Sequence, residues 1–230
     1  MSIPERETRG LRRGVFITGG TGYIGHVLIT KLLARGHDVR ALVRPGSERK
    51  LPPGCTPLLG DALDSCTFAG QVQPADTLVH LVGVSHPSPA KAVAFREIDG
   101  VSGKEAFAAS VAAEVNHVVY MSVAHPAGMM RAYIEVRREC ESLLRQTGLN
   151  ATILRPWYVL GPGHRWPVLL KPLYVMLELL PSTREGARRL GLVTLEEITR
   201  TLVWSVENPP IGERILAVPD IRRLGRTFPS

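Results

Sequence analysis

The run Gly14-Val-Phe-Ile-Thr-Gly-Gly-Thr-Gly-Tyr-Ile-Gly25 constrains this chain more than any other segment. It sets Gly20, Gly22 and Gly25 in G-x-G-x-x-G order, after an apolar β-branched run and before an amphipathic one. Glycines at such a turn let the backbone approach a pyrophosphate, whose charge is favoured by the free N–H groups and dipole of the helix that follows. Alone the motif is weak; between a strand and a helix it predicts a dinucleotide site. Thr18, Gly19, Thr21, Tyr23 and Ile24 complete the loop and the first helical turn.

The rest of the chain repeats the same rhythm of short apolar run, polar or glycine-rich loop, and longer amphipathic segment. Strands are predicted at Val15–Thr18, Val39–Val43, Thr56–Leu59, Thr77–Val82, His117–Met121, Ala151–Leu154 and around Arg214–Val218. Several are apolar throughout, as strands covered on both faces are. Helices are predicted at Tyr23–Arg35, Ala90–Ala113 (with Gly100 and Gly103 as points of bending), Met130–Thr147 and Leu195–Glu207, the last with Thr194 and Glu197 as a capping box. The expected architecture is α/β, a doubly wound parallel Rossmann sheet over residues 14–220, with 156–220 as a small C-terminal cap on the substrate side. About 70 residues scarcely support an independent core.

Charge sits at the ends. Arg6, Arg9, Arg12 and Arg13 face only Glu5 and Glu7 in residues 1–13, and Arg222, Arg223 and Arg226 have no acid among residues 221–230, out of a formal net charge of +7. Both ends are expected to be basic tails. A nucleic-acid surface would place its cations on the folded face beside aromatic stacking groups, and no such pattern occurs, so no nucleic acid is expected. Cys55, Cys66 and Cys140 have neither metal-ligand nor paired spacing, so metal ligation is not expected and a cytoplasmic, reducing location fits best. The apolar stretch Trp166–Leu180 is too short and too broken by proline to span a bilayer. A helical flap, an interface or a peripheral membrane contact are its possible roles.

Folds that select NAD(H) put an acid about 20 residues after the glycine motif, at the end of the second strand, to hold the ribose hydroxyls. Here that strand end is Arg44, whose planar cation suits a 2′-phosphate, with Ser47, Arg49 and Lys50 nearby. NADP(H) is therefore expected ahead of NAD(H), the alternative being that Arg44 is a solvated strand end. Asp61 either accepts from the adenine amino group or caps a turn.

With these pieces in place, the chain resembles the atypical short-chain dehydrogenases/reductases, in their NmrA-like and epimerase-like branch. The matching segments are Thr18-Gly-Gly-Thr-Gly-Tyr-Ile-Gly25, Val43-Arg44, Gly60-Asp61, His80-Leu-Val-Gly83, Tyr120-Met-Ser122 and Leu154-Arg-Pro156. The resemblance implies cofactor contacts from Asp61, Ala62, Leu81, Val82, Gly83, Pro156 and Trp157, with Tyr158, Gly161 and Gly163 also near the nicotinamide end. It also implies a catalytic serine at Ser122 and a Tyr-x-x-x-Lys pair, of which Tyr133 is present and the lysine is replaced by Arg137. A tyrosine working near pH 7 needs a neighbouring cation, which Arg137 supplies; arginine cannot join a proton relay, and Arg137 can instead pair with Glu141 one turn on. His86, His125 and His164 are further acid/base candidates. Two functions follow: an NADP(H)-dependent oxidoreductase or epimerase-like enzyme on a small carbonyl or hydroxyl compound, or a non-catalytic NADP(H)-binding sensor or assembly factor. A role at a membrane or quinone-linked complex is a third, suggested by Trp166–Leu180 and the basic ends.

Overall fold

The computed structural model describes residues 12–85, 87–127, 129–161 and 190–228. Nearly all of residues 1–13, together with His86, Gly163, His164 and the stretch Trp166–Leu180, lie outside them.

Strands β1 (Gly14–Thr18), β2 (Asp38–Val43), β3 (Thr56–Leu59), β4 (Thr77–His80), β5 (His117–Met121), β6 (Asn150–Arg155) and β9 (Glu213–Ala217) form one seven-stranded sheet. Its order is β3-β2-β1-β4-β5-β6-β9, and every pairing is parallel. The chain leaves β1 toward β2 on one side and later returns to β4 on the other. That reversal opens a crevice at the carboxyl ends of β1 and β4, where open α/β sheets bind ligands.

Alternation along the strands builds the two cores. Val15, Ile17, Val119 and Leu154 face α1 (Tyr23–Ala34) and the later helix α4 (Leu195–Glu207), through Leu28, Leu32, Ile198 and Leu202. Phe16, Val118, Tyr120 and Ile153 face the other way, against Phe68, Phe107 and Leu144. Phe107 belongs to α2 (Val101–Ala112) and Leu144 to α3 (Arg131–Gln146). These two helices approach closely at Gly103, where a Cβ would sit 2.8 Å from Cys140 Sγ.

The segment expected as one long helix over 90–113 is helical without a break over 92–112 but changes type along its length. A π-helical turn, Phe95–Gly100, precedes α2 and carries the buried Asp99. Two short strands also escape the sequence pattern: β7 (Tyr158–Leu160) and β8 (Leu192–Thr194) pair in parallel as a separate small sheet on the expected cap segment. The same segment gives β9 to the main sheet, and the Thr194–Glu197 capping box of α4 is present.

Residues 221–227 are not a tail. They form most of α5 (Val218–Thr227), whose Val218 and Ile221 are fully buried, and Arg226 Nε donates to Glu197 Oε1 at 2.9 Å. The apolar residues recur at helical spacing between the arginines and pack on α4, so Arg223 and Arg226 stay exposed while Arg222 Nε donates to the Leu192 carbonyl at 2.9 Å.

Candidate cofactor groove

The glycine turn after β1 is shaped by backbone contacts. Gly19 has φ +81°, and a Cβ there would lie 2.8 Å from the Leu81 carbonyl carbon, so this turn abuts the loop after β4. At Gly25 a Cβ would overlap the Gly19 carbonyl oxygen, which is why the first turn of α1 sits so close to the loop. No acid occupies that first turn, leaving the positive end of the helix dipole uncompensated.

Between this turn, the ends of β2 and β3 and the loop after β4 runs a groove of about 450 Å³. Gly19, Thr21, Gly22, Arg44, Asp61, Ala62, Leu81, Val82 and Gly83 all line it, as do Ser47 and Lys50. Residues from four separate loops, expected from sequence to share a cofactor, thus share one groove. Gly60, from the Gly60-Asp61 segment, lines it too, as do Leu63, Val84, Ser85 and Ile98, which carried no motif of their own. Arg44 and Lys50 are exposed on one lip, and among the described residues neither pairs with a carboxylate. Asp61 Oδ1 accepts the Leu63 N–H at 3.0 Å, so it caps a turn while standing in the groove wall.

Other expected contacts fall elsewhere. Thr18 is fully buried, and its hydroxyl lies 2.7 Å from His80 Nδ1, on the core side of the loop. Burial, reinforced by the Arg137 charge, lowers His80 to about 3, so its ring is neutral. Gly20 faces Ile29 and Ala41, and Tyr23 packs at Gly161, where a Cβ would overlap its hydroxyl. Ile24 packs against the core. Pro156 and Trp157 follow β6 and are not part of the groove wall, although the Pro156 carbonyl accepts the Ala124 N–H at 2.9 Å.

The three residues of the expected catalytic set are close in the fold but differently engaged. Ser122, 3% exposed, donates its hydroxyl proton to Glu141 Oε1 at 2.6 Å. Glu141 is itself buried and accepts from Arg155 Nε at 2.9 Å and from Arg145 Nη2 at 3.2 Å; His125 Nε2 stands 3.5 Å away. Burial alone would raise the Glu141 carboxyl, but the Arg155 and Ser122 hydrogen bonds outweigh it and hold the group below the ordinary glutamate range. Burial lowers His125, with the Arg155 charge adding to it.

Arg137 does not pair with Glu141. Its Nη2 bonds Asp99 Oδ1 at 2.5 Å and Nη1 donates to the Met121 carbonyl at 2.8 Å and to Tyr120 Oη at 3.3 Å. Burial by itself disfavours this cation, and the surrounding Tyr133, Tyr120 and Asp99 more than restore it, so Arg137 stays charged. Its guanidinium lies 5.3 Å from the Tyr133 ring centroid, the shared helix face that a four-residue spacing requires. Tyr133 is half-buried, tilted against Phe95 at 4.9 Å. Sequence reasoning missed Asp99. The signal available was the need of a buried arginine for a buried acid, with no indication of which acid.

The profile of the NAD(P)H-binding family matches residues 19–165, a span that begins inside the glycine turn and includes every residue of the groove wall named above. The chain belongs to the NAD(P)H-binding family. Its fold is the Rossmann fold seen in solved epimerase-like structures. It is 25% identical over 219 residues to a ceramide reductase of Caulobacter vibrioides, covering 94% of this chain and 68% of the relative. It is 26% identical over 168 residues to 4-hydroxy-2-methyl-3-oxo-4-farnesyl-3,4-dihydroquinoline-1-oxide ketoreductase of Stigmatella aurantiaca, covering 64% of this chain and 50% of the relative. Among solved structures, the Bordetella bronchiseptica enzyme WbmH in complex with NAD+ shares the fold at a TM-score of 0.67 and 22% identity, over 92% of this chain and 80% of that one. Among the described residues no helix is long and apolar enough to cross a membrane.

Proposed function

We propose that this member of the NAD(P)H-binding family binds NADP(H) along the groove and reduces a carbonyl, or oxidises a hydroxyl, on a small molecule. The observation that carries the cofactor choice is the lip of unpaired cations, Arg44 and Lys50 with Ser47 between them, at the strand end where an NAD(H) site keeps an acid. Gly19, Gly22 and the start of α1 would hold the pyrophosphate, and Asp61 with Ala62 would border the adenine. When bound, the nicotinamide supplies or accepts a hydride. Tyr133 Oη would give or take the proton at the substrate oxygen, with the charged Arg137 5.3 Å from its ring centroid. Ser122 would hold position through Glu141 rather than donate to substrate. The reductase names of the relatives support the reaction class. Three free cysteines fit a reducing cytoplasm.

A second reading, a non-catalytic NADP(H) sensor, is favoured by one observation: the Ser122 proton and the Arg137 donors are already engaged by Glu141, Asp99, Tyr120 and Met121. The test is NADPH titration followed by NADPH oxidation against a panel of carbonyl compounds. Tyr133→Phe should keep NADPH affinity within about twofold while turnover falls by about 10²-fold or more, the contribution typical of a positioned acid. NADPH binding with no oxidation of any panel member would establish the sensor instead, and no NADPH binding would overturn both.

A further inference from the structure

The loop after β4 brings Val82, Gly83 and Val84 to the groove wall, and two buried side chains from distant elements hold it from beneath. Asp99, in the π-helical turn, accepts the Val84 N–H on Oδ2 at 2.9 Å and Arg137 Nη2 on Oδ1 at 2.5 Å. Arg137, on α3, also reaches the Val82 carbonyl at 3.4 Å and the Met121 carbonyl at the end of β5 at 2.8 Å. Gly83 leaves these groups their space: a Cβ there would overlap Arg137 Nη2 and lie 3.1 Å from Asp99 Oδ1. The two side chains are 5% and 0% exposed.

A fully buried ion pair adds little net stability over apolar residues of the same volume, because desolvation offsets the attraction. What this pair does is geometric. It ties one loop to two separate elements, and that loop abuts the Gly19 turn in the groove wall.

We propose that Asp99 and Arg137 are a positioning pair that fixes the Val82–Val84 loop against the Gly19–Gly22 turn, and so sets how the groove grips the half of the dinucleotide beyond its adenosine phosphates. The proposal rests on the NADP(H) reading above. It gives Arg137 a task that a lysine could not fill, since one ammonium cannot span Asp99, the Val82 carbonyl and the Met121 carbonyl with planar donors.

The full-length chain and its variants Asp99→Asn, Arg137→Gln, Arg137→Lys and the double variant Asp99→Asn/Arg137→Gln are titrated with two probes. One is NADPH; the other is adenosine 2′,5′-bisphosphate, which carries phosphates but no nicotinamide half. Both single neutralising variants should weaken NADPH at least tenfold and the bisphosphate less than threefold. The double variant should be no worse than the weaker single, and Arg137→Lys should fall between wild type and Arg137→Gln. Folded variants that bind NADPH within twofold of wild type would overturn the proposal, as would equal losses for both probes, the mark of a merely structural role. Should the neutralising variants fail to fold, Gly83→Ala crowds Arg137 from the groove side with both charges kept; an NADPH-selective loss supports the pair, and unchanged NADPH affinity overturns it. Wild type that binds neither probe removes the cofactor reading itself, and the proposal with it.

Discussion

Replacing Glu141 with glutamine removes the one acid around which Ser122, Arg145 and Arg155 gather, tying the end of β5 to the end of β6. Breaking a buried ion pair costs about 3–5 kcal/mol, because a charge is left without its partner. Arg155 is 18% exposed and can turn to water once released, and Arg145 keeps Glu213 at 2.7 Å, which places the expected cost at the lower end, about 3 kcal/mol. For a chain of this size that is a fall in Tm of about 6–12 °C. Urea unfolding at pH 7 measures it, with the exposed Glu139→Gln as a control expected within about 0.5 kcal/mol of wild type. The pH dependence adds a second check. Because the folded Glu141 carboxyl is held below its ordinary range, its contribution is complete above the ordinary glutamate value and is lost as pH falls through the lowered one. The gap between wild type and Glu141→Gln should therefore close in acid. A gap below about 1 kcal/mol at pH 7, or one that stays constant down to acid unfolding, would refute the account of this network.

Burial lowers both His80 and His117 to about 3, helped by Arg137 in the first case and by Arg13 and Arg214 in the second. Both are neutral in the fold while the unfolded chain protonates near 6.5, so stability is complete above that pH and declines below it, by about 1.4 kcal/mol per pH unit for each histidine. Urea midpoints between pH 4.5 and 7 should show His117→Asn with a visibly shallower decline, and an unaltered slope would contradict the assignment. Ile221→Ala should cost about 2–4 kcal/mol, since Ile221 is fully buried against α4, whereas a loose tail would show no change in the unfolding midpoint.

The parallel sheet was legible because its strands, covered on both faces, stand out as apolar runs between glycine-rich loops, and Val15–Thr18 and His117–Met121 need no tertiary information to be found. β7 and β8 were not, since three residues each give no period and their pairing joins residues more than 30 apart in sequence. α5 was hidden by its arginines, which outnumber the two buried apolar residues that fix it. At the groove, Arg44 and Asp61 were found because their distances from the glycine motif are set by the βαβ unit. The partner of Arg137 was not, because two acids were available and only the packing of the π-helical turn on α3 decides for Asp99 over Glu141. Ser122 directly follows β5, yet the direction of its proton depends on Glu141, 19 residues later.

The ratio of NADPH to NADH affinity, measured for wild type and for Arg44→Asp by the same fluorescence titration, tests the central claim most directly. A hydrogen bond to a charged group contributes about 1.5–3 kcal/mol, which corresponds to about 10- to 100-fold. Wild type should bind NADPH tighter by about that factor, and Arg44→Asp should abolish or invert the preference, because a carboxylate repels the 2′-phosphate and accepts from the ribose hydroxyls. Equal affinities in wild type, or NADH the tighter of the two, would contradict the account.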